Sequence, residues 1–291
     1  MKIFVTGASG WIASAAIPEL LKAGHHVVGL ARSDAAAARV LALGAEVRRG
    51  DLADTGALIE AAAASDGVIH LGYHHDFSQM AQAAALDRAA IDAFGSALQG
   101  TGKPLLFASG LLGVSSEAEQ PQQGGHPRVG NALAATALAE RGVRPVAVRF
   151  APTVHGKGDY GFTSVLAQVA RDRGVSAYVG DGSNVWPAVH RLDAGRVVAL
   201  ALDIAPAGAA VHAVAENGVP TKAIAEAIGH ALGLPVESVP AEKAAEHFGW
   251  IGMFFAGDFP TSNDQTRALL GWQPAGPTLL EDIEAGYYTA A

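Results

Sequence analysis

The stretch KIFVTGASGWIA, residues 2–13, decides the fold of this chain. A short β-branched strand ends in a glycine, and the helical spacing of WIASAAIPELLKAGH then stops at Gly24. The next segment, HVVGLAR, has the pattern of a second buried strand. A glycine turn between a strand and a helix brings backbone N–H groups to the positive end of that helix, where phosphates bind. The first residues therefore predict a nucleotide-binding turn.

The same alternation continues to Phe150, with strand patterns in AEVRRGD, DGVIHLG, KPLLFASG and RPVAVRF and helical patterns between them. It predicts an α/β fold, a doubly wound parallel sheet with right-handed crossovers. Beyond Phe150 the glycine-rich and mostly helical segments predict a smaller C-terminal lobe. We expect the nucleotide-binding domain at 1–152, with 190–215 returning to it, and the lobe at 153–189 and 216–291.

Composition excludes several classes of protein. The absence of Cys excludes disulfides, thiolate metal sites and a Cys nucleophile, so redox chemistry would need a bound cofactor. A net charge of −8 without a basic block argues against nucleic-acid binding. The eleven His show no metal-ligand spacing, so we expect no metal. Short apolar runs and no signal-peptide pattern predict a cytoplasmic protein that binds no membrane. We expect its partner to be a small molecule, and the protein to be a monomer or homodimer.

The turn TGASGWIA offers a site for a dinucleotide. Gly7 allows the tight turn, Gly10 lets backbone N–H groups approach a pyrophosphate, and Ala13 takes the third small position. The alternative is a strand–helix turn without a ligand. The cofactor-binding residues expected here are Thr6, Gly7, Ser9, Gly10, Trp11 and Ile12.

The end of the second strand, GLARSD, bears on which dinucleotide binds. Arg32 and the Ser33 hydroxyl favour NADP(H), because a guanidinium pairs with a 2′-phosphate. Asp34 is an alternative partner for Arg32. After the third strand, Asp51 and Leu52 are expected to flank the adenine, although Asp51 could instead cap the next helix.

The motifs TGASGWIA, GDLAD, VIHLG, RFAPTVHG, WPAVHRLDAG and LGWQP, in this order, resemble the extended short-chain dehydrogenase/reductase superfamily, in its epimerase/dehydratase-like branch. The resemblance covers nearly the whole chain. It implies a Rossmann domain, a C-terminal substrate lobe and a nicotinamide cofactor. It also implies cofactor contacts from Leu71, Gly72, Pro152 and Val154.

The resemblance fails at the residues that carry the chemistry in that family, a Tyr and a Lys one helical turn apart and a Ser after the preceding strand. The segment 126–150 contains no Tyr and no Lys. Counting back from the following strand puts the Tyr position at 127–128 and the Lys position at 131–132, and the Ser position falls on Gly110, one residue after Ser109. The chain thus resembles an atypical subgroup that lacks the pair and carries basic residues there.

Other residues would then have to stabilise or protonate the reacting oxygen. His126 suits a general acid and Arg128 a fixed oxyanion donor, and both are otherwise solvated residues at a helix start. In HLGYHHDF, an imidazole of His74 or His75 could be oriented by Asp76; the alternative is a capping Asp beside surface histidines.

The segments after Phe150 add further candidates. Tyr160, in a glycine loop that follows His155, is a candidate donor or substrate clamp. Trp186 and His190 would line the substrate pocket, or would be a core Trp and a structural His. The catalytic candidates are Ser109, Arg128, His126, His75 and Tyr160, and the substrate-binding candidates are His74, Trp186 and His190.

The function expected from these residues is NADPH-dependent reduction of a ketone, aldehyde or imine. An iminium substrate already carries its proton and needs no acid from the protein. The apolar EHFGWIGMFFAGDF predicts a bulky, largely apolar substrate, or else forms lobe core. The alternative is a non-catalytic NADP(H)-binding sensor, and a sugar-nucleotide epimerase is a weaker third option because no clear base is present.

Overall fold

The computed structural model describes residues 1–74, 79–111, 113–122 and 127–289. These residues divide into two units. Unit 1 contains 1–149, 194–212 and 264–272, and unit 2 contains 150–193, 213–263 and 273–291. Among the described residues, no helix has both the length and the apolar character needed to cross a bilayer.

The described elements alternate between strand and helix through most of unit 1. The strands are β1 (Lys2–Thr6), β2 (His26–Ala31), β3 (Glu46–Arg49), β4 (Gly67–His70), β5 (Pro104–Gly110), β6 (Arg144–Phe150), β7 (Thr153–His155), β8 (Ser176–Val179), β9 (Val185–His190), β10 (Ala210–Ala213), β11 (Glu216–Pro220) and β12 (Val236–Val239). The helices are α1 (Ala13–Lys22), α2 (Asp34–Ala42), α3 (Thr55–Ala63), α4 (Met80–Leu98), α5 (Pro127–Ala137), α6 (Phe162–Arg173), α7 (Arg191–Ile204), α8 (Thr221–Leu232), α9 (Ala244–Phe248), α10 (Gly252–Phe255), α11 (Asp264–Leu270) and α12 (Leu279–Glu284).

A seven-stranded sheet in the order β10-β6-β5-β4-β1-β2-β3 forms the centre of unit 1. β1 pairs in parallel with β2 on one side and with β4 on the other. The chain runs outward from β1 through β2 and β3 and then crosses to β4, so the winding direction reverses between β1 and β4. The predicted α/β, doubly wound Rossmann fold is confirmed. In such sheets, ligands bind beyond the carboxyl ends of the strands at the point of reversal.

Helix α4 covers this sheet with one apolar face. Its buried positions follow helical spacing and are Ala83, Ala84, Asp87, Ala90, Ile91, Ala93, Phe94, Gly95 and Leu98. Phe94 meets Phe4 of β1 edge to face, with ring centroids 6.3 Å apart. Asp87 is a carboxylate on a face that is otherwise apolar, so its charge must be met by partners inside the protein.

Residues far along the chain complete unit 1. The sequence assigned 264–272 to the lobe, but these residues belong to unit 1. The reason is a buried polar contact: both the amide and the hydroxyl of Thr266 donate to Glu117 Oε1, at 2.8 and 2.7 Å. Thr266 Oγ1 also accepts from the His212 amide at 2.7 Å. A buried carboxylate requires such donors, and this requirement brings α11 to unit 1.

Unit 2 has a three-stranded sheet, β11-β9-β7, and a parallel pair, β12-β8. Its core includes Phe248, Ile251 and Phe255 from the segment EHFGWIGMFFAGDF, so this segment forms lobe core in part. Met253 of the same segment is 78% exposed. Near the end of the described chain, the Tyr288 hydroxyl donates to Asp159 Oδ2 at 2.9 Å.

A close helix contact in unit 1 gives a test of its packing. A Cβ at Gly195 of α7 would lie 2.6 Å from the carbonyl carbon of Ala15 in α1. We therefore expect Gly195→Ala to lower the free energy of unfolding by about 1–3 kcal/mol, measured by urea denaturation.

Gly130 of α5 is the matched control, because among the described residues a Cβ there meets nothing within 4 Å. Ala has the higher helix propensity, so Gly130→Ala is expected to raise the free energy of unfolding by about 0.5–1 kcal/mol. Stability of Gly195→Ala equal to that of the unmodified protein would contradict the close contact.

Candidate functional site

Two glycines build the turn between β1 and α1. Gly7 has φ +66°, and a Cβ there would lie 2.6 Å from Leu71 C and Gly72 N, so only glycine fits. The Gly10 amide donates to Gly7 O at 2.9 Å, and a Cβ on Gly10 would be 3.0 Å from that oxygen. The turn therefore lies directly against the backbone that follows β4, at the point where the sheet reverses its winding.

The start of α1 differs from the starts of α2 and α3. Ser33 caps α2 and Asp54 caps α3 through their side chains, whereas Ile12, at the N-cap of α1, makes no side-chain cap and no acidic residue lies in the first turn. Ser9 and Trp11, in the same turn, are partly exposed. An uncapped helix start with a glycine turn fits the pyrophosphate of a dinucleotide, since backbone N–H groups and the helix dipole both favour an anion.

A cationic side chain, that of Arg32, follows the end of β2. Arg32 is exposed. Asp34, its alternative partner, forms an ion pair with Arg49 at the end of β3. Ser33 Oγ accepts from the Ala36 amide at 3.2 Å as the cap of α2. Arg32 is thus a residue that could hold a 2′-phosphate, and the Ser33 hydroxyl hydrogen can still donate.

Asp51 does not cap the helix that follows it. Asp54 has this role, since its Oδ1 accepts from the Ala57 amide at 3.0 Å. Asp51 Oδ1 instead accepts from the Ala53 amide at 2.9 Å in an exposed turn. Leu52 is partly buried, and its Cδ1 lies 3.0 Å from the position of a Cβ on Gly72. Leu52 thus packs near Gly72, and the adenine contact of both residues stays a prediction.

A buried chain of hydrogen bonds runs below the glycine turn. Thr6 Oγ1 lies 2.6 Å from His70 Nδ1 and accepts from the Gly72 amide at 3.2 Å. His70 Nε2 lies 3.1 Å from Asp87 Oδ1. Donation from Thr6 to Nδ1 and from Nε2–H to the carboxylate satisfies all three side chains. Thr6 is fully buried. Its side chain belongs to this buried chain, and its cofactor contact stays a prediction.

Asn131 of α5 completes the chain. Its Nδ2 donates to Asp87 Oδ2 at 2.6 Å and to Ala84 O at 2.8 Å. Burial raises the pKa of the Asp87 carboxyl, but the hydrogen bond and charge of His70, the bond from Asn131 and the charge of Arg128 together hold it below its ordinary value. The carboxylate thus stays ionised at neutral pH. Asn131, one of the two residues predicted at the family's Lys position, is directed to Asp87.

Arg128, in the first turn of α5, lies over an aromatic ring. Its Cζ is 4.0 Å from the ring centroid of Tyr73, which is partly exposed in the loop after β4. Burial lowers the pKa of the Arg128 guanidinium, and the charges of Asp87 and Tyr73 oppose that shift. A cation, a phenol and a carboxylate are therefore grouped where β4 and α5 meet the carboxyl edge of the sheet.

The other candidates of unit 1 fall at or near the same edge, or outside the described residues. Ser109 lies near the end of β5, is partly exposed and has its hydroxyl 3.5 Å from Gly110 O. His74 is exposed beside Tyr73. His75, Asp76 and His126 lie outside the described residues.

In unit 2, Trp186 and His155 are structural. Trp186 is 1% exposed, its Nε1 donates to Phe254 O at 3.1 Å, and it packs in the core, as in the alternative that the sequence left open. His155 is fully buried with Nδ1 2.6 Å from Asp282 Oδ2, and burial lowers its pKa. Both side chains are therefore part of the packing of the lobe.

His190 belongs to the same buried group. Its ring centroid is 5.6 Å from that of His155, and a Cβ on Gly276 would lie 2.6 Å from His190 Nδ1. These contacts favour the structural His that the sequence left as the alternative, and the substrate contact of His190 stays a prediction. Tyr160 is 71% exposed, while Pro152 and Val154 are partly exposed. The Tyr160 side chain is therefore mostly in contact with solvent.

The sequence contained signals for residues that our reasoning passed over. Asp87 occupies an apolar-spaced position of α4, and a carboxylate on such a face indicates buried partners. His70 is the last residue of a buried strand. Tyr73 lies inside HLGYHHDF, the segment in which His74 and His75 were considered as candidates and the tyrosine was not.

Comparison with known proteins gives the family and the fold. The NAD dependent epimerase/dehydratase family model matches residues 3–94. An uncharacterised protein of Schizosaccharomyces pombe is 45% identical over 297 residues, covering 99% of this chain and 100% of that protein. A 2-alkyl-3-oxoalkanoate reductase of Stenotrophomonas maltophilia is 29% identical over 279 residues, covering 86% and 82%. A dTDP-glucose 4,6-dehydratase double mutant from Streptomyces venezuelae, solved with NAD, shares the fold with a TM-score of 0.75 at 17% identity, covering 99% and 96%.

The buried carboxylate gives the test of this site. Asp87→Asn leaves a single side-chain oxygen to accept from both His70 and Asn131, and it places the new NH2 group against one of these two donors. We therefore expect the free energy of unfolding at pH 7 to fall by about 1–3 kcal/mol. Because the folded-state pKa of Asp87 is lowered, its contribution is present above the ordinary value of 3.8 and is lost as the pH falls through the folded-state pKa. Denaturation at several pH values measures the difference, which should shrink in acid.

Asp92→Asn is the matched control on the same helix. Asp92 is exposed and pairs with Arg88 at 3.0 Å, a surface contact whose loss costs at most about 1 kcal/mol. An Asp87→Asn variant as stable as this control would contradict the buried network.

Proposed function

The chain belongs to the NAD-dependent epimerase/dehydratase family, and we propose that it is an NADPH-dependent reductase of a ketone, aldehyde or imine on a bulky, largely apolar small molecule. The observation that carries this proposal is the Arg128 guanidinium held over Tyr73 at the carboxyl edge of the sheet, with Asp87 behind it. This group lies beside the turn that fits a dinucleotide. The similarity to a 2-alkyl-3-oxoalkanoate reductase supports carbonyl reduction.

The residues of unit 1 fit a nicotinamide dinucleotide. The glycine turn and the uncapped start of α1 would hold the pyrophosphate, and Asp51 and Leu52 would flank the adenine. Arg32 and Ser33 would bind a 2′-phosphate, because the carboxylate of Asp34 is already engaged by Arg49. When bound, the cofactor supplies the hydride. The protein supplies position and charge.

Arg128 would stabilise the charge that develops on the substrate oxygen. Reduction of a carbonyl moves negative charge to oxygen, and a preorganised cation away from bulk water stabilises that charge more than water does. Burial of Arg128 provides such a setting, and the stack on Tyr73 fixes its side chain. Ser109, near the end of β5, would donate a further hydrogen bond to the same oxygen.

The proposal predicts turnover that depends on Arg128. Purified protein with NADPH and a panel of bulky ketones and cyclic imines is expected to consume reduced nicotinamide, followed by its absorbance. Arg128→Met keeps an unbranched apolar chain but removes the guanidinium and its charge, and should lower ketone turnover by about 10²–10³-fold. NADPH binding without turnover of any panel member would favour the non-catalytic NADP(H)-binding alternative instead.

Cofactor choice gives a second prediction. Arg32→Ala removes the guanidinium proposed for the 2′-phosphate, so NADPH affinity should fall by about 10- to 100-fold while NADH affinity stays within about threefold. Titration of cofactor fluorescence measures both.

Arg39→Ala, at an exposed residue of helix α2, which begins just after Arg32, serves as the matched control and should change neither affinity. Equal losses for NADPH and NADH in Arg32→Ala would overturn the phosphate role.

A further inference from the structure

We propose that Tyr73 is the proton donor of this reduction and that Arg128 stabilises the phenolate that Tyr73 leaves behind. The inference rests on the proposed reduction. It gives a chemical role to a residue in the loop after β4, and it assigns the donor and its cation to two different elements.

The position of Tyr73 is fixed by the most constrained backbone of the site. The Leu71 amide donates to Thr6 O at 3.2 Å, and the Gly72 amide donates to Thr6 Oγ1 at 3.2 Å. Gly7 lies against the same peptide unit. Tyr73 follows immediately, so its Cα is anchored at the reversal point of the sheet, where ligands of such folds bind.

The contact with Arg128 suits a donor. The guanidinium lies 4.0 Å from the ring centroid, a distance at which a cation stabilises negative charge in the ring. Burial raises the pKa of Tyr73 and Arg128 opposes that shift, with Asp87 adding to the rise. The phenol therefore keeps its proton at neutral pH and gives it up when charge develops on a substrate oxygen nearby.

The helix that would carry both donor and cation in the resembling family carries only the cation here. Asn131, one turn after Arg128, is committed to Asp87 and Ala84. Asp87 in turn lies near Arg128 and helps to keep it cationic. The same two chemical groups, a phenol and a fixed cation, are thus brought together from the β4 loop and α5.

The proton step balances with NADPH as reductant. The hydride forms a C–H bond at the carbonyl carbon as the C=O π bond breaks, and the Tyr73 Oη–H bond breaks as the new O–H bond forms. The nicotinamide is oxidised and the carbonyl is reduced to an alcohol. The Tyr73 phenolate, stabilised by Arg128, takes a proton from water before the next turnover.

Tyr73→Phe tests the assignment because it keeps the ring under Arg128 and removes only the hydroxyl. With a bulky ketone we expect kcat to fall about 10²–10³-fold. With an N-alkylated cyclic iminium ion, which needs no proton, kcat should stay within about threefold of the unmodified protein. Affinity for NADPH should not change.

Tyr178→Phe is the matched control, since Tyr178 also lies under a cation, Lys222 at 5.6 Å, but in unit 2. It should change neither rate. Equal losses on ketone and iminium in Tyr73→Phe would show a positioning role and overturn the donor assignment, as would an unchanged ketone rate. Reduction of iminium ions alone by the unmodified protein would overturn the donor and leave the reductase standing. No reduction of any substrate would overturn both.

Discussion

The contact between Gly7 and the Leu71–Gly72 peptide is the constraint on which the rest of the structure depends. A side chain at residue 7 would meet that backbone at 2.6 Å, so β1 and β4 can end side by side only if glycine follows β1. This pairing brings the glycine turn after β1 and the loop after β4 to one edge of the sheet. Among the described candidates, Arg32, Asp51 and Tyr73 follow strands that end at that edge.

The buried chain from Thr6 through His70 and Asp87 to Asn131 adds rigidity below the edge. It connects β1, β4, α4 and α5 with hydrogen bonds of 2.6–3.1 Å between side chains. A buried carboxylate is costly unless every partner is present, so the four elements are coupled. Arg128 stands next to this chain, and the charge of Asp87 helps to keep it cationic. The proposed chemistry therefore depends on a residue that also holds these elements together.

The sequence predicted what depends on local periodicity. The alternation of strands and helices, the glycine turn and the Rossmann topology all follow from residue spacing near each element. What it could not predict depends on tertiary contacts: Asp34 pairs with Arg49 only because β2 and β3 are neighbours, and Trp186 is buried because the lobe packs around it. The return of 264–272 to unit 1 depends on Glu117, which carries no local signal for a partner so distant.

The discontinuity of unit 1 has a consequence for its biosynthesis. One edge of strand β6 stays unpaired until β10 is made. The Glu117 carboxylate lacks its hydrogen-bond donors until Thr266, 149 residues later, has been made. At about 5–20 residues per second, the interval between residues 149 and 272 lasts roughly 6–25 s on the ribosome. Until β10 has been made, at residue 213, the nascent sheet has an open edge at β6. The Glu117 carboxylate lacks its Thr266 donors for nearly all of the interval, so we expect chaperones that shield strand edges to bind the nascent chain.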